Sequence, residues 1–283
     1  MLLPFLISAL LGAAPQAPKA TPQAPPLEDQ AGAADVAVAP SRLILEGAKR
    51  SGELYLINTG LKDGHYQLSL VHFEMTPSGD LIQKDLATLK PEDHFAGNLL
   101  RFSPRELDLK SGESQVIRFR LRLPANLPDG EYRAHLFVRS VPSGPVASAS
   151  VQKGHISLKI EPTYGVSVPI LVRHGKVSAQ AGLTDLGLSY QQGRPILHAA
   201  ITRSGLASLY GNLDVEWKPA DGKLFRPVGS FKGIGVYPEI SQRPVDMELE
   251  DAQGMAIRGG SLRLTYRDPS SGESLAQAEF QIP

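Results

Sequence analysis

From Ile156 to Val172 every even-numbered residue is apolar or ring-bearing: Ile156, Leu158, Ile160, Pro162, Tyr164, Val166, Val168, Ile170 and Val172. The intervening positions through Ser167 are polar or small: Ser157, Lys159, Glu161, Thr163, Gly165 and Ser167. A period of two is the signature of an extended strand with one apolar face, and it excludes a helix. At roughly 3.3 Å per residue, one continuous strand would run for about 50 Å, against the usual strand of about five or six residues. A sandwich core cannot cover that whole face. Pro162 and Pro169 cannot donate a ladder hydrogen bond, so they confine the segment to a sheet edge or to bulges. Two arrangements satisfy these constraints. Either the apolar row faces another chain along an unpaired edge, or the run breaks at Pro162 and Gly165 into ordinary strands buried in their own domain.

The rest of the chain from Asp35 onward shows the same period in shorter pieces. Glu53–Ile57, Tyr66–Phe73, Val116–Leu123 and Glu131–Arg139 alternate, separated by the turn sequences Lys62-Asp63-Gly64, Pro77-Ser78-Gly79-Asp80, Lys110-Ser111-Gly112 and Pro128-Asp129-Gly130. Asp85–Phe95 is the only segment that fits a short helix, and Pro91 cuts it. After Arg173-His174-Gly175 the pattern restarts. Leu183–Tyr190, Ile196–Thr202, Asn212–Lys218, Ile234–Tyr237, Val245–Leu249, Ser261–Arg267 and Ala276–Ile282 read as strands. Many short strands at intervals of about 12 residues predict β-sandwiches. The 283 residues then divide into sandwich domains at 35–174 and 175–283.

The apolar run Leu2–Leu11, followed by Gly12-Ala13-Ala14, falls short of the roughly 20 residues a membrane-spanning helix needs and fits a secretory signal over residues 1–14. Residues 15–34, rich in Ala, Pro and Gln, read as a disordered tether. The protein is therefore expected to be exported. No cysteine is present, which removes disulfides, thiolate metal sites and thiol nucleophiles. Lys plus Arg and Asp plus Glu number 29 each, which argues against a broad electrostatic attraction to nucleic acid. Arg118, Arg120 and Arg122 do form a basic strand face, but without interleaved aromatics. That face suits an acidic partner or a contact with the second domain.

Chemistry is hard to place. His65, His72, His94, His135, His155, His174 and His198 show no metal-ligand spacing, and no nucleophile elbow occurs. Gly233-Ile234-Gly235 is too short for a dinucleotide fingerprint. Glu92-Asp93-His94 sits in a polar loop beside Pro91. No metal, cofactor or small-molecule substrate is expected, and neither is catalysis. One tryptophan in the whole chain is a poor basis for a carbohydrate-binding aromatic platform.

Several segments together resemble the PapD-like chaperones of chaperone–usher pilus assembly. Ala39-Pro40-Ser41-Arg42-Leu43-Ile44-Leu45-Glu46-Gly47 is similar to that family's opening strand with its Arg. Asn58 and then Tyr66 resemble its Asn followed by an aromatic. Leu100-Arg101-Phe102-Ser103-Pro104-Arg105, with Leu109, Gly112, Gln115 and Arg118, resembles a proline-marked strand, a glycine turn and a return strand. Leu127-Pro128-Asp129-Gly130-Glu131-Tyr132-Arg133 resembles the turn and Glu of the next strand, and Gly165–Arg173 the end of the last. The resemblance covers residues 36–173. The second half matches in size and strand number only.

That resemblance implies an all-β fold of two immunoglobulin-like sandwiches set at an angle. It implies a periplasmic chaperone that caps an incomplete β-sandwich pilus-type subunit by donating an edge strand, then delivers it to an outer-membrane usher. The donor strand would present Ile156, Leu158, Ile160, Val166, Val168 and Ile170. Arg42 would anchor the subunit's terminal carboxylate, since a guanidinium can hold a carboxylate through two parallel hydrogen bonds. The Lys that usually accompanies that Arg is missing: Ser167, Val168 and Pro169 occupy the region and Lys159 lies too early. Glu131 and Arg173 would pair between domains. Without a client, two donor strands could cap each other in a dimer. The contrasting expectation is a secreted structural or adhesive protein on the same scaffold, with the 156–172 segment buried.

Overall fold

The computed structural model describes residues 36–141, 147–152, 155–160, 165–250 and 256–282. The expected signal at 1–14, the tether at 15–34 and the linkage 161–164 lie outside them. The chain is all-β, built as two sandwiches.

The first half contributes β1 (Val36–Ala39), β2 (Leu43–Glu46), β3 (Ser51–Asn58), β4 (Gly64–Met75), β5 (Leu81–Lys84), β6 (Leu100–Ser103), β7 (Glu106–Leu109), β8 (Ser114–Leu121), β9 (Gly130–Val141), β10 (Ala147–Gln152), β11 (His155–Ile160) and β12 (Gly165–His174). One sheet has the order β1-β3-β8-β6. The facing sheet runs β2-β12-β9-β4-β5, with β7 also on β4, and β10 and β11 form a separate antiparallel pair. The alternation seen in the sequence becomes burial. Leu54 and Leu56 of β3, Ile117, Phe119 and Leu121 of β8, and Leu68, Ala134, Leu136 and Val138 of the facing sheet form one core. Each fully buried large side chain contributes about 1.5–3 kcal/mol, so the inward row decides the register. Asn58 is fully buried because its amide is used on both sides: Nδ2 donates to the carbonyls of Lys62 (2.8 Å) and Leu109 (3.1 Å), and Oδ1 accepts from Gly60 N at 3.0 Å. The segment expected as a short helix forms single 3₁₀ turns at Leu86–Thr88 and Pro91–Asp93.

The second half contributes β13 (Ala179–Gln191), β14 (Arg194–Gly205), β15 (Leu209–Lys218), β16 (Arg226–Val236), β17 (Gln242–Glu248), β18 (Gly260–Arg267) and β19 (Ser274–Ile282). Its sheets are β13-β14-β17 and β16-β15-β18-β19. Their core holds Leu197, Leu213, Val215, Leu262, Leu264 and Tyr266, with Trp217 donating its indole N–H to Gly259 O at 2.8 Å. Met75, at the end of β4, packs into this second core.

β12 leads into β13 through Gly175, whose φ of +74° favours glycine. A Cβ there would fall 1.9 Å from the Asp129 carboxylate. Lys176 N donates to the same carboxylate at 3.2 Å.

Candidate functional site

The candidate site is where β9, β12 and the start of β2 meet the loops around Ser208 and Tyr237. It begins with an unusual strand. β9 is buried along both faces from Gly130 to Leu136. Its even residues Tyr132, Ala134 and Leu136 enter the first core. Its odd residues are Glu131, Arg133 and His135, only 3%, 4% and 1% exposed. The sequence reading followed the even face and gave a site role on the odd face to Glu131 only. The other face becomes a site because the second half of the chain covers it, which no local pattern announces.

Buried charges must be paired and hydrogen-bonded, and two of them are. Arg133 stacks on the Tyr237 ring, with Cζ 3.9 Å from its centroid, and pairs with the Glu239 carboxylate. It also donates to Phe73 O at 3.1 Å. Glu131 Oε2 accepts from Arg173 Nε at 3.1 Å and from Ser208 N at 3.1 Å. Arg173 reaches Glu46 Oε2 as well, at 3.5 Å.

Glu131 and Arg173 do pair with one another, but the expectation that they pair between the two halves is corrected. They are directly opposite one another on neighbouring strands of one sheet, in the register Arg173↔Glu131. What links Glu131 to the second half is the Ser208 backbone. The loops that supply Ser208 and Tyr237 are fastened by Arg203. Its guanidinium donates to the carbonyls of Ile240 (3.2 Å), Gly205 (2.6 Å), Ala207 (3.0 Å) and Pro238 (3.2 Å).

Arg42 differs from these. Its Cζ is 3.9 Å from the centroid of the Tyr210 ring, a cation–π contact that accounts for one face of the guanidinium. Its Nε is buried and has no hydrogen-bond partner among the described residues. Burial lowers its pKa, partly opposed by the fields of Tyr237, Tyr210 and Glu131. A guanidinium keeps its charge even so. The site thus holds carboxylates for Arg133 and Arg173, and among the described residues none lies within ion-pair distance of Arg42. Deeper in, His135 Nε2 lies 3.3 Å from the Tyr237 hydroxyl, and burial with the Arg133 and His72 charges pushes its pKa down to about 3.

The described parts of the long apolar segment are β11 and β12. β11 pairs with β10 in register from Ala147↔Ile160 to Gln152↔His155. The side chains of Ile156, Leu158 and Ile160 lie outside the described residues. β12 pairs with β9 along its whole length, but with β2 only from Ile170 to Arg173. Over Gly165–Pro169 its second edge therefore has no strand partner among the described residues, and Pro169 ends that one-sided stretch. The donor-strand expectation needs correcting at two positions. Val168 and Ile170, 3% and 0% exposed, point into their own sandwich core and are not available to another chain. Val166 is only partly buried against that core. Alternation makes this unavoidable, since Val168, Ile170 and Val172 share one face and the first core requires it.

A chain of hydrogen bonds that the sequence reading missed lies on the sheet β13-β14-β17. Ser189 Oγ is 2.7 Å from His198 Nε2, and His198 Nδ1 is 2.7 Å from Asp246 Oδ1. The order resembles a nucleophile, base and orienting carboxylate. His198 and Asp246 are 39% and 72% exposed in their side chains, however, so water competes for every bond. We read it as cross-strand pairing, with His198 directly opposite Asp246 in the register.

No family model matches the chain and no curated protein matches it. Solved structures do. A class 5 fimbriae chaperone, CfaA, matches at 10% identity and a TM-score of 0.44, over 88% of this chain and 99% of that one. The Pseudomonas aeruginosa CupB2 chaperone matches at 13% identity and 0.44, over 87% and 100%. A Salmonella enterica SafA pilin complex with the SafB chaperone matches at 14% and 0.42, over 88% and 97%. This chain is similar to those fimbrial chaperones at that level, and the functional reading rests instead on the geometry around Arg42.

Proposed function

We propose that this protein is an exported, periplasmic chaperone that binds incomplete β-sandwich subunits of the pilus type and passes them to an outer-membrane usher. It works by binding, without a catalytic step or cofactor. The single observation that carries the reading is the Arg42 guanidinium: partly buried, stacked on Tyr210, and lacking a hydrogen-bond partner at Nε among the described residues. Leaving a buried charged donor unsatisfied costs several kcal/mol, and a carboxylate from another chain would remove that cost. The free edge of β12 at Gly165–Pro169 lies one strand position from β2, which Arg42 immediately precedes. A client strand paired on that edge would bring its terminus toward Arg42. Main-chain hydrogen bonds then supply affinity, Val166 supplies an apolar contact, and release follows exchange for a better-packed strand.

One observation favours the contrasting reading, a structural or adhesive secreted protein on the same scaffold: Val168 and Ile170 are committed to their own core. The test separates the two. The exported protein is purified from its own cell envelope beside Arg42→Gln and Val166→Asp variants shown by circular dichroism to be folded, and retained chains are identified by mass spectrometry. Wild type is expected to retain a small secreted β-rich subunit that both variants lose. A synthetic C-terminal peptide of that subunit should bind as the free acid and not as the amide. Retention of the same chains by all three proteins, or of no secreted β-rich chain by wild type, overturns the chaperone reading.

A further inference from the structure

The basic face noted in the sequence finds no use in the proposed chaperone site. On β8 the inward residues Ile117, Phe119 and Leu121 belong to the core, so alternation turns Arg118 and Arg120 outward, Arg122 follows one residue past the strand's end, and all three are exposed. A contact with the second half of the chain is thereby ruled out for this face. Register sharpens the picture. Arg120 lies directly opposite Arg101 of β6, and Arg118 lies opposite Glu53 of β3. Like charges facing across a strand pair oppose each other and are normally avoided.

One of these arginines has an answer within the chain: Arg118 Nε donates to Glu53 Oε1 at 3.0 Å. Among the described residues no carboxylate lies within ion-pair distance of Arg101, Arg120 or Arg122. The four guanidinium groups border a groove of about 740 Å³ whose lining includes Phe102 and Phe119, rings stacked with centroids 5.5 Å apart.

We propose that this groove docks an extended acidic peptide segment of a partner protein, one with a carboxylate at every second residue. The geometry argues for that form of anion. Arg118, Arg120 and Arg122 repeat every second residue, about 6.8 Å along the strand, and an extended peptide presents alternate side chains at the same interval. Each guanidinium can take a carboxylate through parallel hydrogen bonds, as Arg118 takes Glu53. A concave groove suits a peptide chain laid along it, whereas a planar anionic membrane would leave it unfilled. The face belongs to the sheet β1-β3-β8-β6, whereas β12 lies in the other sheet, so the inference stands apart from the chaperone reading.

The test uses the full chain and a fluorescein-labelled twelve-residue peptide of alternating Glu and Thr, read by fluorescence anisotropy at two salt concentrations. The controls are a block peptide of the same composition, with all Glu first, and vesicles of phosphatidylglycerol in phosphatidylcholine. The alternating peptide is expected to bind several-fold tighter than the block peptide and to weaken as salt rises. The Arg120→Gln/Arg122→Gln protein should bind it about tenfold more weakly, as expected for losing two exposed ion pairs. That variant should still capture any client held at β12. Glu53→Gln, which frees Arg118, should tighten binding about threefold, a gain that misfolding cannot produce. Absence of peptide binding, equal binding of the two peptides, unchanged affinity in the arginine variant, or binding to vesicles in place of peptide would each overturn the proposal.

Discussion

Replacing Glu131 tests whether the buried pairing under the candidate site is a cooperative unit. Its carboxylate side chain is fully enclosed, and one oxygen serves both Arg173 Nε and Ser208 N at 3.1 Å. Removing one partner of a buried ion pair costs about 3–5 kcal/mol, because the remaining charge stays desolvated. Two features reduce that here. Arg173 is 24% exposed and has Glu46 at 3.5 Å, and glutamine keeps one acceptor for Ser208 N. Glu131→Gln should therefore cost about 2–3 kcal/mol. Arg173→Gln should cost a similar amount, because it strands the carboxylate. The double variant should cost about 2 kcal/mol less than the sum of the singles, since it leaves no orphaned charge. The assay is urea unfolding, followed by circular dichroism and by fluorescence of Trp217, the only tryptophan, which reports on the second core. Because Glu131 holds Ser208, its loss should also separate the two unfolding curves, the fluorescence transition moving ahead of the other. Single-variant costs that add within about 0.5 kcal/mol would show that the pair is not coupled, and the reasoning from burial would fail.

Three further outcomes follow from the same geometry. His135 has its folded pKa lowered to about 3, first by burial and then by the Arg133 and His72 charges. The unfolded chain therefore binds more protons between pH 6.5 and 3, and stability should fall through that window, by on the order of 3 kcal/mol at pH 4. His135→Phe should flatten the pH profile of the urea midpoint, and a wild-type midpoint equal at pH 7 and pH 4 would refute this. Arg203→Met removes the four carbonyl contacts that fasten the loops beside Ser208 and Tyr237 and should cost about 3 kcal/mol by the same assay; a change under about 0.5 kcal/mol would show that those loops hold without it. Finally, a serine-directed fluorophosphonate should leave Ser189 unlabelled, because the Ser189–His198–Asp246 chain is open to water. Stoichiometric labelling found by peptide mass spectrometry would make it a reactive site.

Much of the strand content was legible because it rests on a local rule. In β15 the residues Leu209, Gly211, Leu213, Val215 and Trp217 alternate in sequence and alternate in burial. Arg118, Arg120 and Arg122 were legible as one face for the same reason. Arg133, Ser208, Tyr210, Tyr237 and Arg203 were not. Arg133 sits in a strand whose outward face reads as solvent-facing until another part of the chain covers it. Ser208 acts through a backbone N–H, which carries no sequence signal at all. Arg203 is one basic residue among many until its loop carbonyls are placed around it.

The sequence by itself determined the period-two elements, the turns between them and hence an all-β chain, because strand periodicity and glycine or proline turns depend on neighbours along the chain. It also determined that 156–172 could not be a helix, and that its prolines needed an edge or a break. Only the tertiary structure decided which. The shared requirement of one core turned Val168 and Ile170 inward, β2 covered part of the second edge of β12 and left the rest of that edge without a strand partner among the described residues, and the second half of the chain covered the face of β9 that the first core does not. Contacts between residues distant in the chain set those outcomes, so the Arg42–Tyr210 stacking and Arg101 opposite Arg120 become visible only when the strands are in register.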